Sequence, residues 1–154
     1  MNAKRALYEE LARQARGLLA GERDAVANAA NLSALLWQSL PDLNWAGFYF
    51  LKGRELVLGP FQGKPACVRI ALGAGVCGAA AEGRTVLVPD VHRFPGHIAC
   101  DGASNSELVV PLLADGIVVG VLDLDSPLFG RFDEQDAAGI EVLARLWVQA
   151  SDRL

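Results

Sequence analysis

Apolar positions set the elements along the chain. From Ala3 to Ala20 they recur at helical spacing (Leu7, Leu11, Ala15, Leu18, Leu19), with Arg and Glu between them and Gly21 as the stop. Asp24 can cap a second helix whose apolar face is Val26, Ala29, Ala30, Leu36, Trp37 and Leu40, and Pro41 ends it. The period then changes to two. Asn44 to Lys52 is aromatic-rich and β-prone, Gly53-Arg54 suits a tight turn, and Glu55–Leu58 returns as a second strand. Cys67–Leu72 is expected as a third strand, Val76–Glu82 as a short helix, and Thr85–Val88 as a strand closed by Pro89. Glu107–Leu113 and Ile117–Asp125 form a hairpin about Ala114-Asp115-Gly116. Asp133 caps a last helix with the face Ala137, Ile140, Leu143, Ala144 and Trp147.

This order predicts an α+β domain: a helical hairpin, about six mainly antiparallel strands with one short helix inserted, and a closing helix. Helices from the two chain ends can then pack together on one face of the sheet. The 154 residues suit a single domain spanning 1–154, large enough to hold a core without disulfides or metal. No repeat, linker or low-complexity tract interrupts it.

The net charge of −4, with no basic run, argues against nucleic acid and anionic membranes as partners. The N-terminus lacks the apolar core of a signal peptide, and no stretch approaches the ~18 consecutive apolar residues of a membrane helix. A cytoplasmic, reducing location is expected. There, the three cysteines Cys67, Cys77 and Cys100 are either packed thiols or redox groups rather than a structural disulfide framework.

Asp90–Ser106 has no clear period and holds both histidines and Cys100. Its Phe94, Ile98 and Cys100 suggest an ordered loop folded over something. Cys100, in Gly-His-Ile-Ala-Cys-Asp, is a reachable nucleophile or a thiol that packs the loop down. Asp123 and Asp125 continue a strand face that is otherwise apolar (Ile117, Val119, Val121), so that end meets ligand, hydrogen-bond donors or solvent. Glu107 opens the partner strand, and antiparallel pairing brings it to the same end. A cysteine beside several carboxylates suits a reaction in which an oxygen must be protonated to leave. Trp45 and Tyr49, four apart on one strand face, are core or an apolar wall for a methyl or thioether group. Reading Cys67, Cys77, Cys100, His92 and His97 as zinc ligands fits no common spacing. Gly73-Ala-Gly75-Val-Cys-Gly78 lacks the βαβ setting of a dinucleotide site, and there is no Gly-x-Ser-x-Gly elbow.

Several segments taken together resemble a known family. Pro-Ala-Cys67-Val-Arg-Ile, Gly-Val-Cys77-Gly, Asp90-Val-His92, Gly96-His-Ile-Ala-Cys100-Asp, Ala103-Ser-Asn-Ser-Glu107 and Gly120-Val-Leu-Asp123-Leu-Asp125-Ser are similar to those of the free methionine-(R)-sulfoxide reductases, which are single GAF-domain enzymes. The likeness extends to Asn44-Trp-Ala-Gly-Phe-Tyr49 and Phe129-Gly-Arg-Phe-Asp133. One departure is a Cys77-to-Cys100 interval one residue short, around Glu82–Thr85, in a turn away from the motif residues. The resemblance implies an antiparallel sheet between helices and Cys100 as nucleophile on the sulfoxide sulfur. A sulfenic acid would follow, then a disulfide with Cys67 that thioredoxin reduces, with Cys77 as auxiliary or alternative resolving thiol. It further implies that Glu107, Asp123 and Asp125 bind the sulfoxide and the substrate ammonium and assist proton delivery. Trp45 and Tyr49 would hold the methyl end, and loop amides the substrate carboxylate. No bound cofactor or metal is implied, and the family's homodimer is allowed, although no interface is legible in the sequence. Two rivals remain: a ligand-sensing GAF module without turnover, which would normally adjoin an output domain, and a cysteine redox sensor.

Overall fold

The structure is a computed structural model that describes residues 2–98 and 100–154. Helix α1 (Ala3–Leu19) is capped by the Asn2 side chain and α2 (Ala25–Ser39) by Asp24, which accepts from the Ala27 amide at 2.8 Å. Strands β1 (Trp45–Lys52), β2 (Glu55–Gly63) and β3 (Arg69–Ala71) follow, then the short α3 (Gly75–Ala80) and β4 (Val86–Val88). One 3-10 turn (Val91–Arg93) opens the long loop, and β5 (Ser106–Ala114), β6 (Ile117–Ser126) and α4 (Glu134–Ala150) complete the chain. The six strands lie in the order β3-β2-β1-β6-β5-β4 and every neighbouring pair is antiparallel. The expected α+β architecture is therefore the one observed, and the first and last strands meet at its centre.

The two-residue side-chain period of β1, β5 and β6 divides the interior in two. Phe48, Phe50, Leu108, Val110, Leu112, Leu122 and Leu124 point to one face and bury against α1, α2 and α4. Trp45, Tyr49, Val109 and Val121 point to the other, where α3 and the long loop lie. The first face is a conventional apolar core in which Trp147 of α4 stacks on Phe50 at 5.6 Å. The second has less helix to cover it, and its lower end holds the acidic residues.

Several boundaries differ from the sequence reading, α3 ending at Ala80 rather than Glu82 among them, and two of the differences shape the site. The second strand was expected over Glu55–Leu58, yet it continues through Gly59-Pro60 to Gly63 by a register shift between Gly47 and Tyr49. Such an irregularity accommodates a proline that cannot donate to the ladder. It also brings Phe61 beside Trp45. Gly47 allows the close approach, because a Cβ there would lie 2.3 Å from that of Phe61. Cys67, expected within a strand, falls just before β3. Its carbonyl instead accepts from the Tyr49 hydroxyl at 2.8 Å, which draws the segment down onto the sheet. Among the described residues no helix is long and apolar enough to cross a membrane.

The chain ends are joined through one buried carboxylate. Asp136, fully buried, accepts from the Tyr8 hydroxyl (2.7 Å), Lys4 Nζ (2.8 Å) and the Asp133 amide (2.9 Å), with Arg131 at 3.6 Å. Removing it strands buried donors and a cation together. Asp136→Ala is expected to lower unfolding stability by about 3 kcal/mol, read as a shifted urea midpoint at unchanged slope. A midpoint within error of wild type would show that α1 and α4 are held by apolar packing alone.

Candidate active site

The hairpin of β5 and β6 sets the acidic row. Its register places Glu107 directly opposite Asp125 and Val109 opposite Asp123, while β1 brings Trp45 opposite Asp125. The three carboxylates thus occupy one end of the second sheet face, and Glu107 and Asp123 are only 6% and 4% exposed. Burial pushes all three pKa values up from their ordinary values. For Glu107 and Asp125 the rise is large because neighbouring carboxylate charge adds to burial. For Asp123, hydrogen bonds from Glu107 and Cys77 oppose the rise.

The cluster has acceptors in excess of donors. Asp123 Oδ1, Asp125 Oδ1 and the nearby Asn44 Oδ1 are buried without a hydrogen-bond donor among the described residues. His97 Nε2 lies 3.9 Å from Glu107 Oε1, but burial, reinforced by His92, pushes the His97 pKa down and keeps the ring neutral at pH 7. What fits such a site is a cation with several N–H donors, or protons. Cys77 Sγ and one oxygen each of Glu107 and Asp123 fall within 4.8 Å of one another, so a metal ion could also bridge them. An alkylammonium group needs only acceptors, and these the site supplies in surplus.

The cysteines divide into two kinds. Cys67 and Cys100 are joined by a disulfide with Cα atoms 5.5 Å apart, which draws the long loop onto the segment before β3. Cys77, on α3, is free, buried and 3.9 Å from Glu107 Oε2. Burial first, then the charges of Asp123, Glu107 and Asp125, holds its pKa well above the usual thiol range. It is a neutral S–H donor facing carboxylates.

The wall beside the acids is aromatic. Trp45 stacks on Tyr49 at 5.8 Å and on Phe61 at 5.1 Å, and its indole N–H donates to the Lys64 carbonyl. Since the Tyr49 hydroxyl is committed to Cys67, that residue presents ring rather than hydroxyl.

Seven of the eight residues selected from the sequence line one pocket: Trp45, Tyr49, Cys77, Cys100, Glu107, Asp123 and Asp125. Cys67 reaches it through its bond to Cys100. The pocket also takes in His97, weighed from the sequence only as a zinc ligand, Ile98, noted only as loop packing, and Asp101 and Ser104, which were given no role. Their position beside Cys100 in the aperiodic loop was the available signal. Phe61 was hidden behind the Gly-Pro pair.

Comparison with known proteins gives this arrangement a relationship. Residues 5–150 match the model of the GAF domain. The chain is 54% identical to the free methionine-R-sulfoxide reductase of Escherichia coli, over 91% of this chain and 86% of that protein. It belongs to the GAF-domain family of free methionine-R-sulfoxide reductases. The Saccharomyces cerevisiae member is 45% identical over 93% of this chain and 84% of its own length. The X-ray structure of the Neisseria meningitidis reductase in complex with its substrate superposes with a TM-score of 0.92 at 47% identity, covering 97% of this chain and 91% of that one.

The raised carboxyl pKa values carry a consequence for stability. Below the ordinary values of 4.5 for Glu107 and 3.8 for Asp125, folded and unfolded chains are both protonated there, and the groups are neutral in effect. Above those values the unfolded chain releases protons that the folded chain retains. The cluster therefore destabilises the fold progressively as pH rises toward the raised folded values. Glu107→Gln and Asp125→Asn remove that penalty while keeping shape. Each is expected to raise the melting temperature at pH 7.5 by at least ~3 °C, with the gain vanishing near pH 4, as read by differential scanning calorimetry. A lower melting temperature at pH 7.5 would show that the ionised cluster is stabilising.

Proposed function

We propose that this chain is an oxidoreductase that reduces free L-methionine (R)-S-oxide to methionine, with Cys100 as nucleophile. The observation that carries the reading is the Cys67–Cys100 disulfide closing over a pocket with a floor of three carboxylates, Glu107 and Asp123 buried and Asp125 half-buried, and a Trp45–Tyr49 wall. The substrate's parts match these surfaces: a methyl thioether end for the aromatic wall, an ammonium for the orphaned acceptors, and a sulfoxide oxygen that needs a proton. The family relationship supports the same substrate and the R configuration.

In the first step the Cys100 thiolate attacks the sulfoxide sulfur. A carboxyl of the Glu107–Asp123–Asp125 cluster, held protonated by burial and by its neighbours, supplies the proton that the departing oxygen needs. The oxygen passes to Cys100 as a sulfenic acid, two electrons pass to the substrate sulfur, and methionine leaves. Cys67 then displaces water from the sulfenic sulfur, forming the disulfide. Reduction by an external dithiol, thioredoxin, returns both thiols and completes the cycle in the cytoplasm. Cys77 has a different place: a neutral buried thiol is a poor nucleophile, and its contact with Glu107 makes it a hydrogen-bond donor to the acids. No bound cofactor or metal is needed for this balance. Loop amides would anchor the substrate carboxylate.

Single-turnover chemistry tests the assignment. Fully reduced protein mixed with racemic methionine sulfoxide and no reductant should release about one equivalent of methionine per chain and end with the Cys67–Cys100 disulfide. Cys100→Ser should release none, whereas Cys67→Ser should keep the burst and lose thioredoxin-supported turnover. A sulfoxide within a peptide should react far more slowly than the free amino acid. A stoichiometric burst from Cys100→Ser would overturn the nucleophile, and equal kcat/KM on the peptide would overturn the enclosed site.

A further inference from the structure

We propose that Asn44 is a positioning residue that holds the Cys100 loop against the site when the Cys67–Cys100 disulfide is open. The inference rests on the reading of Cys100 as nucleophile. Asn44 immediately precedes β1, and its main-chain N–H donates to the Asp125 carbonyl at 3.0 Å, so its backbone is fixed to the strand that carries the acids. Its side-chain Nδ2 reaches the other way and donates to Asp101 Oδ2 at 3.0 Å and to Ser104 Oγ at 2.9 Å. Asp101 is the residue after Cys100.

The tip of the loop is a closed unit. Asp101 Oδ1 accepts from the Ala103 amide at 2.9 Å, and the Ser104 amide donates to the Asp101 carbonyl at 3.2 Å. Holding Asp101 and Ser104 therefore holds the tip as one piece. Hydrogen bonds from Ala103 and Asn44 keep the Asp101 pKa below the usual carboxylate range, so at neutral pH Asn44 donates to an ionised acceptor, the stronger kind of bond. The base of the loop is secured separately, where the Asn105 amide donates to the Ser126 carbonyl and its carbonyl accepts from Val91.

Among the described residues two side-chain ties thus bind the loop's tip to the rest of the site: the disulfide and Asn44. Both are made in the disulfide form, but only one of them can serve during attack. Cys100 must be a free thiol to attack, so the disulfide is open during attack. Among the described residues Asn44 then makes the only side-chain hydrogen bonds from the sheet to the tip. Side-chain chemistry fits the task. A single amide nitrogen offers two hydrogens to two acceptors, an alanine offers none, and an aspartate would face Asp101 with like charge. Attack on sulfur needs the nucleophile within a few tenths of an ångström of its line, so a loosened tip costs rate even where substrate still binds.

The experiment uses the full chain in both redox states. Asn44→Ala and Asn44→Asp are each measured by single-turnover methionine release from the reduced protein at saturating sulfoxide. Hydrogen exchange of the peptide covering 97–104 is followed in the reduced and disulfide forms. The expected result is a release rate at least ~10-fold below wild type and faster exchange in the reduced form, with wild-type exchange in the disulfide form. A wild-type release rate would overturn the proposal. So would equal loosening in both redox states, which is the mark of a residue needed only for the fold. Cys100→Ser run alongside keeps the two readings apart: methionine released by that variant would remove Cys100 as nucleophile, and the redox dependence of exchange would by itself decide whether Asn44 holds the loop.

Discussion

Three carboxylates on adjoining strands, two buried and one half-buried, with no countercharge among the described residues, are the constraint around which this domain is arranged. The hairpin of β5 and β6 brings Glu107 to Asp125, and Asp123 sits one pleat away on the same face. Unpaired buried charge is costly, and the cluster's raised pKa values favour the protonated forms while its orphaned oxygens stay open to a cationic ligand. Both responses suit the substrate. An ammonium satisfies the acceptors, and a retained proton is what a sulfoxide oxygen requires before it can leave. The destabilisation this end of the sheet imposes is offset elsewhere, on the face where α1, α2 and α4 bury the larger apolar core and Asp136 ties the chain ends together.

The same field sorts the cysteines. Cys77 stands among the carboxylates and is held neutral, while Cys100 enters the pocket from the loop and meets Cys67 from the segment that Tyr49 draws down. In the proposed cycle one thiol therefore supports the acids and two exchange electrons. The aromatic wall depends on a backbone detail: without the side-chain-free position at Gly47, Phe61 could not close on Trp45.

Much of this was legible in the sequence because it follows from periodicity. The strand face containing Asp123 and Asp125 could be counted out from the alternation in Ile117–Asp125, and the turn at Ala114-Asp115-Gly116 then brought Glu107 to the same end. The α+β order followed equally from the change of period near Asn44. Other features were not legible, for identifiable reasons. Pro60 is a strand breaker locally, and only a register shift against β1 lets β2 pass through it. The aperiodic loop gave no internal geometry, so Asn44, Asp101 and Ser104 could not be joined before their partners were seen in space. The pairing of Cys67 with Cys100 came from family resemblance alone, since a separation of 33 residues carries no geometric information.

The central claim is that at neutral pH the cluster retains protons, one displaced as the ammonium enters and another left for the departing oxygen. Infrared difference spectroscopy of the reduced protein reads this directly through the carbonyl stretch of a protonated carboxyl. At pH 7 the unliganded wild-type protein should show that band, Glu107→Gln or Asp125→Asn should alter it, and saturating free methionine should reduce it as the ammonium enters. A spectrum with only ionised carboxylates at pH 7, unchanged by ligand, would contradict the account.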